Sequence, residues 1–519
     1  MKLTLLDKFF CRYTPNYASK RIKARILNEY LMSSAFKSSD SSRRQKSGWN
    51  IPGDDSGQAI SAELPEMRRY SRDLVRNNPI AAGQLSTKLT HVIGVGFKYH
   101  ARPDRKLLRM SDDYADEWER IVEREWKLFF GKKHCDITGV STGSALTRIV
   151  YNCVETDGDV VVMFPRKSFP NRPYLTRLQL VEADRLCNPN DEPDSDSMVA
   201  GISYNSDGSV NKYHIADKPA NFMNYSGRRW ENVPPYGPRT GLPNILHIYR
   251  KNRPDQPRGI PSLSTVIEPL KMLSRYSDAE LMAAVVAAYF TVFIETSNGE
   301  ASLDYSKLTE ETSQTSVDNN MKLGDGLIIG LNPNEKISTA NPGRPNDKFD
   351  TFVLAILREI GIGLNIPYEI LIKHFSSSYS ASKAAILEFW KWILCEREFL
   401  CTSFLYPVRD IFMWEAVSAG RIKAPGYFSD PIITDAYNNG VFRGPARGHI
   451  DDREEVEAAI ARCQGGFSTI DIETSEITGG DWATNHEQSI KERKARIAGG
   501  LINDGKPNEN GDGAQTSQQ

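Results

Sequence analysis

Cysteine is scarce and scattered. Cys11, Cys135, Cys153, Cys187, Cys395, Cys401 and Cys463 are odd in number and form no CxxC pair. That pattern argues against a disulfide framework and against a zinc site, and fits buried, inert thiols in a reducing compartment. Long apolar runs are missing as well. The opening KLTLLDKFF is broken by Asp7 and Lys8, so no secretory signal is expected. The most apolar window, Leu281 to Ile294, is 14 residues, against the roughly 20 that a membrane span needs. A soluble, cytosolic product with no membrane partner is the expectation. Charge of one sign is not in surplus either: Lys and Arg total 65, Asp and Glu 66, for a formal net charge of −1. A tight duplex binder draws most of its affinity from phosphate neutralisation and usually carries a basic excess. The balance here speaks against tight binding but permits a nucleic acid that slides past without sticking.

Catalytic signatures are absent too. There is no GxGxxG, no Walker loop and no HExxH, so neither a phosphate-cradling loop nor a zinc-hydrolase helix is expected, and no cofactor is implied. GVSTG at Gly139–Gly143 matches the GxSxG pattern of hydrolase nucleophiles. That chemistry needs a buried strand feeding a tight turn into a helix, and the preceding GKKHCDIT is too charged for a core strand. A turn and N-cap before a helix near Ser144 is the plainer reading. Asp112-Asp113 and Asp451-Asp452 read as solvated helix caps rather than a cation site. Arg68, Arg69, Arg72 and Arg76 lie three or four apart. They could contact phosphate, or pair with Glu63, Glu66 and Asp73 on a solvated helix face, and the second reading is favoured.

What is present is mixed α and β texture. Residues 33–50, SSAFKSSDSSRRQKSGWN, read as a flexible linker. A helix is expected from Glu63 and a second from Ile80 to Val92, ending at Gly94-Val95-Gly96. Trp118, Ile121, Trp126 and Phe129 mark another over 114–131. Between about 155 and 250, short β-type runs bounded by Pro, Gly, Asn or Asp follow one another: 159–164, 178–181, 213–215 and 245–249. Helical texture returns over 262–290, with Pro269 near its start and the Ala-rich DAELMAAVVAAYF in its second half. Ala279, Ala283, Ala284, Ala287 and Ala288 would let another backbone approach closely; a buried core helix of one subunit fits the pattern equally well. After a strand-and-loop stretch, a helix is expected over 347–364 and a long one over 380–419, kinked at Pro407. Shorter helices follow to about 500, and the tail from Asn503 is expected to be disordered.

The order of particular strings goes further. RYSRDLVRNNPIAAGQLSTKLTHVIGVGF, ETDGDVVVMF and LQLVEADRLCNP are followed by HIYRKNRPDQPRGIPSLSTVIEPLKMLSRYSDAELMAAVVAAYF. Then come IPYEIL with SYSASKAAILEFW, and finally HIDDREEVEAAIARCQGGFST and GGDWATNHEQSIKERKARIAGGL. Together they resemble the lambda-like family of bacteriophage portal proteins from about residue 60 to 500, the Arg-Pro-x-Gln-x-Arg-Gly-x-Pro turn before the Ala-rich helix being the most specific. Lys383 and Asp452 stand where the family often has Arg and Pro, and the extreme ends do not match.

The resemblance implies an α+β portal-protein fold and a non-enzymatic role: a ring-shaped channel at one capsid vertex of the virion for DNA packaging and ejection. It implies an N-terminal arm (1–60), a wing with a β-rich domain (61–260), a stem helix (261–290), a clip (291–346) and a second stem helix (347–372). A tunnel loop (373–382), a long wing helix (383–420), a C-terminal crown (421–502) and a tail (503–519) would follow. The implied partners are a homo-oligomeric ring, typically a dodecamer, double-stranded DNA passing non-specifically, the terminase large subunit, major capsid and scaffold proteins, and head-completion or connector proteins. Assembly in the host cytoplasm goes with them. Lys373, His374, Ser376, Ser377, Ser378 and Lys383 are the candidate channel-facing residues, and the five alanines the candidates for subunit packing in the stem. Two other classes stand beside this one: another minor head or connector protein, and a serine hydrolase using Ser141.

Overall fold

The computed structural model describes residues 56–219, 228–288, 292–296, 335–339, 349–375, 378–448 and 452–501. Helix α1 (Ser56–Asn77) begins seven residues ahead of the expected start. Asn78 then restarts the chain as α2 (Pro79–Val92): its Oδ1 accepts from the N–H groups of Ile80 and Ala81 at 2.9 and 3.1 Å, with Pro79 in the first turn, where its missing N–H costs nothing. Strand β1 (Lys98–Ala101) and the amphipathic α3 (Asp112–Phe129) follow. The predicted periodicity of α3 has a physical cause: Trp118, Val122, Trp126 and Phe129 point into the main core.

Helix α4 (Gly143–Asp157) turns at Gly158 into β2 (Asp159–Met163). β2 is the central strand of an antiparallel sheet, between β3 (Gln179–Val181) and β8 (Ile245–Tyr249). Its Val160 and Val162 pack into the main core, while Val161 faces a second, smaller one with Val181, Leu186, Ile202, Ile215, Val233 and Ile245. The period-two alternation of a strand thus makes an unbroken Val run the wall between two cores. Four antiparallel strands complete the small core: β4 (Met198–Val199), β5 (Ile202–Tyr204), β6 (Val210–Ala216) and β7 (Trp230–Val233).

Helix α5 (Ile267–Ala288) places Pro269 in its first turn. Beyond it, β9 (Val292–Thr296) pairs antiparallel with β10 (Glu335–Thr339), Val292 opposite Thr339. Helix α6 (Phe349–Gly363) returns alongside α5, with Tyr276 stacked on Phe349 at 5.4 Å and edge-on to Phe352 at 5.0 Å. After α7 (Tyr368–Ile372) comes α8 (Tyr379–Leu400), and a π-helical turn at Cys401–Leu405 leads into α9 (Tyr406–Ser418). The break expected at Pro407 is therefore absorbed one turn earlier. Pro407 lacks an N–H and crowds the carbonyl four residues back, and a wider turn there relieves both.

The C-terminal elements are α10 (Pro431–Asn438), β11 (Gly440–Arg443), α11 (Asp452–Gln464), α12 (Ile470–Thr478) and α13 (Trp482–Ala498). β11 pairs antiparallel with the distant β1, Lys98 opposite Arg443. Of the cysteines, Cys135 and Cys401 are buried as expected, but Cys395 is exposed; Cys11 lies outside the described residues. Among the described residues no helix is long and apolar enough to cross a membrane.

Candidate functional site

Two regions carry the sequence-predicted residues. In the first, buried Ile370 and Leu371 anchor α7, and Lys373 closes it in the left-handed conformation, φ 56°. The His374 N–H then bonds the Glu369 carbonyl at 3.1 Å. Lys373, His374 and Ser378 are exposed. Ser378 caps α8: its Oγ accepts from the Ala381 N–H at 3.4 Å. Lys383 is half-buried with its ammonium 5.7 Å from the centre of the Tyr379 ring. Ser376 and Ser377 lie outside the described residues. Of the residues between the two helices, Lys373, His374, Phe375 and Ser378 are exposed.

In the second region, Ala279 is exposed, and Ala283 and Ala284 are half-buried on α5. Ala287 and Ala288 belong to the same helix, but their side chains lie outside the described residues. The same helix exposes large apolar side chains that the alanine stripe did not announce: Leu281 and Met282 are 65% and 61% exposed. α6 adds Phe352 and Ile362, the latter 79% exposed. Exposed apolar side chains this dense on two adjacent helices mark a surface made to be covered.

Elsewhere in the chain stands a charge network that sequence spacing does not announce. Asp159 at the start of β2 takes Arg68 at 2.6 Å, Arg258 through two N–H donors and His247 at 3.0 Å, all buried. Arg258 also donates to the carbonyls of Ala183, Leu186 and Ala200. Arg72 bridges Asp157 at 2.7 Å and Asp184 at 2.5 Å. The solvated arginine face expected on α1 holds for Arg69 and Arg76, which are exposed, but not for Arg68: it is 4% exposed, and its partners are the distant Asp159 and Asp184 rather than Glu63 or Glu66. A second buried set joins α2 and α4 to α8. Glu155 takes Lys88 at 2.8 Å and Arg250 at 2.6 Å, and Arg250 also holds Glu396, which accepts from the Tyr151 hydroxyl at 3.0 Å. Burial alone would raise the Glu155 pKa; Lys88 and Arg250 outweigh it and bring it down to about 2.

The GVSTG segment builds no nucleophile. No strand precedes it. The Asp136 carboxylate accepts from the backbone N–H groups of Thr138, Val140 and Ser141 at 3.0, 3.0 and 2.8 Å, closing a loop, and Thr142 caps α4.

A profile of the family described as phage portal protein, lambda family, matches residues 42–397. The chain belongs to that family. The portal protein of Escherichia phage N15 is 25% identical to it over 479 residues, covering 88% of this chain and 89% of that one. Portal protein B of Escherichia phage lambda is 24% identical over 476 residues, with the same coverage of 88% and 89%. A chain in the virion of a native gene transfer agent particle is 13% identical, covers 81% of this chain and 98% of that chain, and has a TM-score of 0.43, too loose a likeness to add to the assignment. This portal chain is accordingly a structural component of a virion, with its place at a capsid vertex, and the family is structural rather than catalytic. The buried network falls on the very segments that carried the resemblance: Arg258 and Gly259 are the Arg-Gly of the turn before α5, and Asp159 opens the ETDGDVVVMF strand.

Proposed function

We propose that copies of this portal chain close into a ring of twelve around the path of duplex DNA, with α5 and α6 as a paired stem. The observation that carries this reading is the exposed apolar surface of the two helices, Leu281, Met282, Phe352 and Ile362, beside small residues that permit close backbone approach. Burying it against the next copy repeats one heterologous contact, and such a contact closes on itself when the rotation divides the circle. The antiparallel pair of β9 and β10 would then stand beyond the stem as part of the clip, meeting the terminase large subunit during packaging and head-completion proteins afterwards. The wing would face capsid and scaffold proteins, and assembly would take place in the host cytoplasm.

The connection between α7 and α8 is the tunnel loop in this reading. Lys373, His374 and the Ser376–Ser378 run contact phosphates weakly and without base readout. A nearly neutral chain suits a conduit, because a strongly basic bore would trap a duplex carrying one charge per roughly 1.7 Å. Negative-stain microscopy of the purified chain tests the ring: closed particles with a central hole are expected. A monomer in every buffer, or a position in virus heads away from the tail-bearing vertex, would overturn it. Replacing Ser376–Ser378 with glycine tests the loop, with rings intact but DNA retention impaired; full packaging with stable heads would remove that assignment.

A further inference from the structure

The segment after β2 runs out and back on itself. Arg166 bridges Thr176, the Lys167 N–H bonds the Leu175 carbonyl at 2.8 Å, and the Arg177 N–H bonds the Pro165 carbonyl at 3.0 Å. Arg177, at the base of this excursion, is 0% exposed. Its Nη1 donates to the carbonyls of His134 at 2.5 Å and Thr176 at 3.2 Å. Its Nε and Nη2 have no hydrogen-bond partner among the described residues. Those two N–H groups form one edge of the guanidinium, the fork that takes an oxyanion through two parallel hydrogen bonds.

The surroundings are short of anything to satisfy it. Asp136 is committed to the backbone N–H groups of its own loop, and Glu415 to those of Leu175 at 2.5 Å and Thr176 at 3.0 Å. Cations gather there instead. One Phe169 ring has Arg172 at 4.8 Å, Arg177 at 5.2 Å and Lys167 at 5.3 Å from its centre. The buried Nδ1 of His134 also has no partner among the described residues, and burial, with Lys132, Arg172 and Arg177 adding to it, lowers the pKa of that ring. Phe169 is half-buried and belongs to neither hydrophobic core, so no core packing holds it in place.

We propose that this face of the wing binds a phosphate of duplex DNA on the Nε/Nη2 edge of Arg177, with Lys132, Lys167 and Arg172 contacting neighbouring phosphates and Phe169 as a displaceable cover. A cluster of cations matches the closely spaced charges of a nucleic-acid backbone better than one isolated carboxylate does. The near-neutral total is no obstacle, because the cations are gathered in one place. The choice of duplex as ligand rests on the portal reading.

Fluorescence anisotropy of a labelled duplex, titrated with the full-length assembled protein at several salt concentrations, tests it. The exposed pair Lys132→Ala/Lys167→Ala should flatten the dependence of log affinity on log salt by about 0.9 per lost phosphate contact. Arg177→Lys keeps the charge but loses the fork, and should weaken binding by on the order of tenfold. Phe169→Ala should tighten it by uncovering the edge. Parental affinity and salt slope in both Lys132→Ala/Lys167→Ala and Phe169→Ala would overturn the site, whatever Arg177→Lys does to folding. So would a polyglutamate peptide that displaces the duplex more effectively than unlabelled duplex does, because the occupant would then be an acidic protein segment. Rings in the micrographs separate failure of this site from failure of the portal reading, and Lys373→Ala, altered in the tunnel loop alone, should retain the wing contribution.

Discussion

Gly259 packs its backbone directly on that of Gly158: a Cβ on Gly259 would stand 2.0 Å from the Gly158 carbonyl oxygen. Gly158 itself has φ 92° and would set a Cβ 2.5 Å from the Gly259 carbonyl oxygen. The approach brings the turn before α5 against the corner between α4 and β2, and it delivers Arg258 to Asp159. Gly259→Ala should therefore act like overpacking of a core, destabilising by about 3 kcal/mol. A thermal melt should show the drop, and an unchanged melting temperature would mean that the two backbones are free to separate.

Asp159→Asn removes the carboxylate shared by Arg68, Arg258 and His247. Burial alone would raise the pKa of Asp159; Arg258 and Arg68 overcome that and hold it well below the usual range. Arg258 without its counter-charge, and Arg68 left with Asp184 at 3.5 Å, should cost about 3–5 kcal/mol, read as a lower urea midpoint. Asp196→Asn, exposed on the β-domain surface, serves as the control and should be near neutral.

Glu123 gives a pH dependence of known sign. Burial, reinforced by the nearby Asp481 carboxylate, pushes its pKa up from 4.5 to about 7, although its Oε1 accepts the Ala101 N–H at 3.0 Å. A folded pKa above the unfolded one means that the stabilisation is present in full below about 4.5 and is lost as pH rises through about 7. The groups around it are His100, whose Nδ1 lies 3.8 Å from Glu123 and 3.2 Å from Asp481, together with Glu119 and Arg102. Glu123→Gln keeps the acceptor and removes the titration. Its melting temperature relative to the parent should rise between pH 5 and pH 8, by on the order of 1–2 °C because the site is partly solvated. A constant difference across that range would exclude the carboxyl as the titrating group.

Leu281→Asp places a charge on the exposed apolar surface of α5. The isolated subunit should fold as before, because that side chain touches little within it, while ring closure should fall steeply from the desolvation of the new carboxylate. Mass photometry with circular dichroism separates the two effects. Rings at parental yield would assign the apolar surface to something other than the neighbouring copy.

By itself the sequence determined whatever depends on near neighbours. The repeat of Trp118, Trp126 and Phe129 makes a helix because positions three and four apart share a face. The Asn-Pro at 78–79 starts α2 through its own cap, and the ordered strings between 60 and 500 carry the family. Local spacing could not say which partner a charge would find. Arg68 looked solvated because Glu63 and Glu66 lie within a turn or two, yet the fold sends it to Asp159, where exclusion of water makes the pairing stronger than any surface alternative. The pairing of β1 with β11, the π-helical turn before Pro407 and the fork of Arg177, unpartnered among the described residues, were likewise decided only in three dimensions. Each depends on what packing brings against a residue from far along the chain, and no periodicity in the sequence encodes that.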